Sequence, residues 1–419
     1  MSDRMVIAEE QRRFALAVVR RLRAAGFEAL WAGGCVRDWL LGRTPEDYDV
    51  ATSATPPDIR GLFGRRRTLA IGAAFGVITV VGPKPAGQIE VATFRRDADS
   101  SDGRHPDHVT FSSAREDAAR RDFTINGLFF DPIEERVIDF VGGQEDLARR
   151  RVRAIGPPEL RFTEDKLRML RAVRFTAAFD FELEAETAAA VRRMAGQITA
   201  VSPERIAMEM RRMLVEPGRT RAVRLLVELG LAAAVLPEIV PGDQPGRERL
   251  ERALERLDRL REPGFPLALA ALLVETADAG TVRQIGLRWR LSNQEIDRAS
   301  WLVGQRGSLA EARAARWSRL QPILIHQGID DLLALEELAR PAGPDEAAYC
   351  RALLAQPRAV LDPPPLATGD DLLEHGIPAG PIFKTILGRL RQAQLDGEIR
   401  TLQEALALAD RLLRGESSY

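Results

Sequence analysis

Three carboxylates in this chain have the spacing that phosphoryl chemistry uses. Asp47 and Asp49 sit in the run Glu46-Asp47-Tyr48-Asp49-Val50. In an extended strand residues i and i+2 share a face, so this spacing predicts two carboxylates side by side. Like charges that close repel unless a cation joins them, and a hard ion such as Mg²⁺ prefers carboxylate oxygens combined with substrate phosphates. A pair of such ions stabilises both the attacking and the leaving oxygen in phosphoryl transfer. Taken alone, a solvent-facing acidic strand end explains the pair equally well. Glu90 adds a third acid within the alternating run Ile89-Glu90-Val91-Ala92-Thr93-Phe94-Arg95. Facing inward it requires a metal or a cation; facing solvent it carries no meaning.

Three further runs supply groups that complement phosphate and base. Gly33-Gly34-Cys35-Val36-Arg37-Asp38 follows a β-like segment and opens a helix. Paired glycines at such a turn let backbone N–H groups approach an anion, and Arg37, one turn on, forks around phosphate oxygens. The plainer account is a turn tight enough for packing. Arg120-Arg121-Asp122-Phe123-Thr124-Ile125-Asn126 offers Arg121 as a triphosphate ligand, with Asp122 and Asn126 in supporting or capping roles. Without its neighbours it reads as a helix start. The run from Glu164 to Phe175 reads as one helix in which Asp165, Arg168 and Arg171 fall in line at spacings of three, with Arg174 continuing. A salt-bridge ladder has the same pattern. The chemical alternative is base reading: a carboxylate accepts from an exocyclic amine while a guanidinium donates to a ring acceptor. That combination admits cytosine and adenine and leaves buried groups unpaired against guanine and uracil.

These groups need a mixed scaffold. From about residue 26 to 140 short β-type runs (76–81 and 88–94) alternate with short helices. From about Glu164 onward β-branched runs vanish and apolar residues recur at helical spacing, so the remainder is expected to be all helical. Proline-rich breaks fall at 156–158, 241–246 and 363–365. The fold class is therefore α+β, an N-terminal mixed sheet with helices followed by an all-α C-terminal half. The expected divisions are 1–150, 151–216, 217–360 and 361–419.

Composition narrows the function. With 419 residues and 45% hydrophobic content the chain builds several packed cores. The longest apolar run, 265–274, falls short of the roughly 20 residues needed to span a bilayer, so no membrane association is expected. Cys35 and Cys350 cannot form a disulfide framework, and four scattered histidines lack zinc-ligand spacing, which fits a reducing cytoplasm. The net charge of −1 argues against a uniformly basic coat, but arginines cluster at 65–67, 149–153, 168–174 and 205–212.

In this order and spacing the motifs resemble the class II tRNA nucleotidyltransferases and bacterial poly(A) polymerases, a family within the polymerase-beta-like nucleotidyltransferases. The likeness includes the Gly-Gly turn, the Asp-x-Asp strand, the Arg-Arg-Asp-Phe-Thr-Ile-Asn run and the Glu-Asp-x-x-Arg run. It extends to Asp139-Phe140-Val141-Gly142-Gly143 with Asp146-Leu147, to Ser202-Pro203-Glu204-Arg205 with Glu209 (an expected N-cap serine), and to a tail-like stretch at 376–397. The resemblance implies a polymerase-beta-like catalytic head, a neck carrying the base-reading helix, and helical body and tail domains that grip the acceptor arm of tRNA. It implies that Asp47 and Asp49 bind Mg²⁺ and Glu90 completes the acidic set. Gly33, Gly34, Arg37 and Arg121 would hold the triphosphate, Asp165 and Arg168 would read the base, and Arg171 and Arg174 would support base and phosphate. The implied reaction is template-independent addition of C, C and A to the tRNA 3′ end from CTP and ATP. The segment 97–109, with Asp102-Gly103-Arg104, is similar to the family's flexible loop.

Within the family, Ile71-Gly72-Ala73-Ala74-Phe75-Gly76 resembles the tRNA-directed branch, and the C-terminal half shows no His-Asp pair, so an appended metal phosphohydrolase domain is not expected. Addition of A alone, or poly(A) synthesis, is the neighbouring reading. Two readings lie further away: an RNA-binding protein without catalysis, which predicts loss of an acidic ligand, and a small-molecule nucleotidyltransferase, which leaves the long helical half unexplained.

Overall fold

The computed structural model describes residues 3–97, 109–339 and 346–414; the Asp102-Gly103-Arg104 stretch lies outside them. The chain divides into two compact units, 1–240 and 241–419. The division falls at Pro241, where the proline-rich stretch begins.

The first unit is built on a seven-stranded sheet. Its strands are β1 (Ala29–Ala32), β2 (Asp49–Thr52), β3 (Thr68–Leu69), β4 (Val77–Val81) and β5 (Gln88–Thr93), joined after a separate pair, β6 (Arg95–Asp97) with β7 (Val109–Phe111), by β8 (Leu128–Asp131) and β9 (Arg136–Asp139). The order across the sheet is β3-β4-β5-β2-β1-β8-β9. Only β2 and β5 run parallel, with Asp49 opposite Glu90.

Alternation along these strands assigns the two faces. Trp31, Val50, Ile78, Val80, Ile89 and Val91 are buried on one face. Helix α1 (Asp3–Ala24) packs against those strands. Its buried Ala15, Val18, Val19 and Leu22 recur at three- and four-residue spacing, the stripe that turns a helix toward a core. The two valines and the leucine each contribute roughly 1.5–3 kcal/mol on burial. The other face is covered only in part. Leu30, Ala32, Ala51 and Phe129 pack against Phe94 and against Ala114 and Ala118. The two alanines belong to α4 (Ala114–Ala119), which follows α2 (Gly34–Leu40) and α3 (Pro56–Phe63).

The rest of the first unit is helical apart from one departure from the all-helical expectation. β10 (Arg151–Val152) pairs in parallel with β11 (Glu182–Leu183). A two-residue strand has too few positions to show an alternating pattern, which is why the sequence hides it. Helix α5 (Gly143–Ala148) precedes β10, and α6 (Pro158–Glu164), α7 (Arg168–Ala178), α8 (Ala185–Met194), α9 (Pro203–Val215), α10 (Arg219–Glu228) and α11 (Ala232–Val235) complete the α-helices of the unit. Ser202 is the N-cap of α9 as expected, with proline at the first turn, but its side chain makes no capping hydrogen bond.

In the second unit the apolar run becomes the helix Phe265–Leu273, buried at every position but Pro266. Among the described residues no helix is long and apolar enough to cross a membrane. Next to that helix Glu275 gathers Arg256 at 2.8 Å and Arg306 at 3.1 Å. Toward the C-terminus Leu372, Ile386, Leu390, Ala393 and Leu408 form a small core of their own. In the same region His375 Nε2 lies 3.1 Å from Asp410, an ion pair that ties the start of the tail core to its last helix. Both cysteines are buried and free.

Candidate active site

A cleft of about 950 Å³ in the first unit is lined by Gly33, Gly34, Arg37, Asp47, Asp49, Arg121, Asp165, Arg168, Arg171 and Arg174. Ten of the eleven residues singled out from the sequence thus converge, although they span both the sheet and the helices beyond it. Glu90 is the exception. It is exposed on β5 beside Asp49 and does not line the cleft.

The turn after β1 places the first cation. Gly33 has φ +73°, a backbone state that L side chains rarely adopt, and its N–H donates to the Leu128 carbonyl. That N–H is therefore not available to a phosphate, contrary to the expectation for the paired glycines. The glycine is needed for a different reason: a Cβ there would stand 2.7 Å from Nη1 of Arg121. Arg121 is fixed from below by Asp117, whose Oδ2 accepts from its Nε and Nη2 at 3.2 and 2.9 Å. Asp117 also accepts from Arg120 and is 1% exposed. Burial alone would raise its pKa, but the two guanidinium groups outweigh burial and hold it below the ordinary carboxylate range. Arg37 is equally fixed, donating to Asp38 and, through Nη1, to Asn126 at 2.6 Å, with its guanidinium 4.5 Å from the Phe179 ring.

The acidic wall is organised in the opposite way. Asp47 lies just ahead of β2 rather than within it, and is exposed; Asp49 is the first residue of the strand and half-buried. Burial, Asp47 and Glu90 together push the Asp49 pKa up to about 7, with Arg121 opposing them. The charged form is thus under strain that a cation would relieve. Among the described residues no three His, Cys, Asp or Glu side chains converge tightly enough to hold an ion unaided. Two carboxylates beside arginines that can anchor phosphate fit a hard ion whose remaining ligands come from the substrate. Beneath them Cys35 is buried and its thiol is pushed up to about 12, chiefly by that burial, so it stays protonated.

The third wall corrects the helical reading of 164–175. Helix α6 ends at Glu164, Asp165 is extended (φ −148°, ψ 105°), and α7 begins only at Arg168. Asp165 is therefore not in line with Arg168 on one helix face. Its Oδ1 accepts the Leu167 N–H, and its Oδ2 accepts from Arg205 of α9 at 2.7 Å. Aspartate forms such local turns readily, and in doing so competes with the helix. Arg168 donates to Glu164 at 2.7 Å and to the Arg120 carbonyl at 3.0 Å. Arg171 binds Asp122 through Nε at 2.7 Å and approaches Glu209 at 3.8 Å, while Arg174 binds Glu209 at 2.7 Å. Burial works against the Arg171 charge, but Asp122 and Glu209 outweigh it and hold its pKa above the ordinary value. For Arg174 burial wins, and the pKa falls. Asp122 also accepts from Asn126, which links this wall to Arg37.

Against this geometry, residues 29–153 match the Poly A polymerase head domain. Residues 180–241 match a probable RNA- and SrmB-binding site of polymerase A. The CCA-adding enzyme of Geobacillus stearothermophilus is 34% identical over 402 residues, covering 94% of this chain and 95% of that one. The chain belongs to the CCA-adding enzyme family. The Lactobacillus johnsonii member is 32% identical over 400 residues, with 94% and 95% covered. The crystal structure of the Bacillus stearothermophilus CCA-adding enzyme in complex with CTP is similar at a TM-score of 0.77 and 30% identity, covering 97% of this chain and 98% of that one. The Thermotoga maritima CCA-adding enzyme complexed with tRNA shares the fold at a TM-score of 0.62 and 21% identity, covering 96% and 95%.

Four residues of this CCA-adding family member were not anticipated as parts of the site. Asp117 carries Arg120 and Arg121, Arg205 carries Asp165, and the Phe175 and Phe179 rings underlie Arg37 at 5.3 and 4.5 Å. Asp117 was within reach of the sequence, because an acid three and four residues ahead of two arginines on a short helix is a pairing pattern. The other three contacts join segments distant in the chain and have no local signature.

Proposed function

We propose that this chain completes tRNA 3′ ends by template-independent addition of C, C and A from CTP and ATP. The observation that carries the reading is the convergence, in one cleft, of a carboxylate pair under electrostatic strain with arginines already fixed in place. Asp47 and Asp49 would hold Mg²⁺, with Glu90 adding charge from the neighbouring strand; when bound, the ion neutralises phosphate charge and favours the ionised 3′-hydroxyl. Arg37 and Arg121 hold the triphosphate at the Gly33-Gly34 turn, where Gly33 leaves room for Arg121. Asp165 and Arg168 pair with the incoming base, accepting from its amino group and donating to its ring acceptor. Arg171 and Arg174 keep that pair in place. The RNA 3′-oxygen, its proton lost to solvent, attacks the α-phosphorus; the new P–O bond forms as the bond from the α-phosphorus to the oxygen bridging to the β-phosphate breaks, and pyrophosphate leaves with that electron pair. The working division is a catalytic head at 1–150, a neck at 151–216, a body at 217–360 and a tail at 361–419. The helical parts grip the acceptor arm, and the setting is the cytoplasm.

The test is incubation of the purified protein with Mg²⁺ and labelled CTP or ATP on tRNA transcripts that end before, within and one residue short of CCA. Growth to a complete CCA end that then stops is the expected result. Addition of A only to the CC-ended transcript would make the protein an A-adding enzyme, and unlimited A-tailing would make it a poly(A) polymerase.

A further inference from the structure

The catalytic face of the sheet is covered at one end and open at the other. Backbone pairing sets Leu69 opposite Thr79, Thr79 opposite Glu90, Glu90 opposite Asp49, and Asp49 opposite Ala32. Residues directly opposite on neighbouring strands share a face, so these five form one row. At the Ala32 end the row is roofed by the alanines of α4. At the other end it is bare: Glu90 is exposed, Thr79 is half-buried and Leu69 is 44% exposed. The back of the same strands is closed, with Ile78, Val80, Ile89 and Val91 fully buried. The bareness therefore belongs to this face and not to the strands as a whole.

The two ends also differ in charge and chemistry. Arg37 and Arg121 stand on the β1 and β8 side of Asp49, where the triphosphate is placed. On the opposite side of Asp49 the sheet continues through β5, β4 and β3. There the β3–β4 connection presents Ile71 at 90% exposure and Phe75 at 40%. Arg65–Arg67, all exposed, lead directly into β3. Apolar side chains that receive base and ribose faces, bordered by arginines for phosphates, are the elements of a single-stranded nucleic-acid track.

We propose that the open face of β3, β4 and β5, with Leu69, Ile71 and Phe75 and the Arg65–Arg67 rim, is the surface along which the unpaired 3′-terminal nucleotides of the acceptor RNA reach Glu90 and Asp49. This rests on the proposed RNA 3′-nucleotidyl transfer and adds to it the direction from which the RNA enters. Continuity with the catalytic row and the charge at its rim select RNA over a protein partner.

The test uses the full chain with a tRNA transcript lacking CCA. Leu69→Asp, Ile71→Asp and Arg66→Glu each change an exposed side chain, so folding is not at issue. The expected result is a rise of about tenfold in KM for tRNA with KM for CTP within about twofold of wild type. Ile133→Asp, 44% exposed in the β8–β9 turn, is the control and should leave both constants unchanged. In parallel, a transcript with 4-thiouridine as its last nucleotide should crosslink within residues 68–81. Unchanged KM for tRNA in all three variants, or a crosslink confined to other residues, overturns the surface while leaving the activity standing. A wild-type protein that extends no tRNA overturns both.

Discussion

The two walls of the cleft treat charge in opposite ways. Along α7 every cation has been given a partner: Arg171 rests on Asp122 and Glu209, Arg174 on Glu209, and Arg168 on Glu164 and the Arg120 carbonyl. Across the cleft Asp47 and Asp49 stand together, Glu90 adds its charge from β5 outside the cleft, and Asp49 rises to about 7. A paired charge in a dry setting is scaffold, because breaking the pair costs more than forming it contributes. A crowded set of like charges is unfinished, and its completion must come from a ligand. Pairing therefore separates charges already satisfied within the protein from carboxylates crowded by like charge.

Substitution on the unfinished wall should cost activity without costing stability. Asp49→Ala removes a carboxylate proposed to hold the metal, an interaction worth several kcal/mol in the transition state, so kcat should fall on the order of 10³-fold or more in single-turnover CTP addition. The melting temperature of the metal-free protein should not drop; a drop of many degrees would erase the distinction between the walls.

The opposite pattern is expected across the cleft. Glu209→Ala strands Arg174 in a buried position and should destabilise the first unit by about 3–5 kcal/mol, read as a large fall in thermal midpoint. If the midpoint moved by less than a degree or two, the arginine network would not be scaffold.

Arg168 lies between the two cases, tied to Glu164 yet lining the cleft. Arg168→Ala should reduce the preference for CTP and ATP over UTP and GTP by about 10–100-fold, measured as a ratio of kcat/KM values that is insensitive to the amount of folded protein. An unchanged ratio would place base reading elsewhere.

Gly33→Ala tests the floor on which both walls stand. The added Cβ meets Arg121 at 2.7 Å and the positive φ resists it, so KM for both nucleotides should rise about tenfold with a smaller change in kcat.

The smallest effect concerns pH. The folded-state pKa of Asp49 lies above its unfolded value, so the folded protein binds the extra proton. Without metal, stability is then greatest near the ordinary carboxylate pKa and falls as pH rises to about 7. Asp49→Asn should remove that slope, raising the thermal midpoint by a few degrees at about pH 8 and hardly at all near pH 4. Saturating divalent ion should abolish the difference.

Much of the site was legible because its groups come in short local patterns. The Gly-Gly turn, the Asp-x-Asp spacing and the Arg-Arg-Asp run each lie within a few residues, and backbone geometry alone aligns such neighbours. Local rules mislead where a distant side chain or carbonyl offers a competing partner. Asp165 was placed on a helix because its spacing to Arg168 suits one, yet its side chain caps Leu167 and pairs with Arg205, which ends α6 early. Gly33 was read as an anion donor, yet its N–H goes to Leu128 and its missing side chain makes room for Arg121.

From the sequence alone come the α+β order, the helical second half, the acids and arginines proposed to do the chemistry, and the kind of chemistry they suit. These follow from periodicity and side-chain type, which are properties of neighbours along a chain. Only the tertiary structure decided which charges are paired and which stand unfinished, that Glu90 reaches Asp49 from an adjacent parallel strand, and that α4 roofs one end of the catalytic face and leaves the other open. Those outcomes depend on which distant segments are pressed together when the core forms, and burial and desolvation act only after that contact exists.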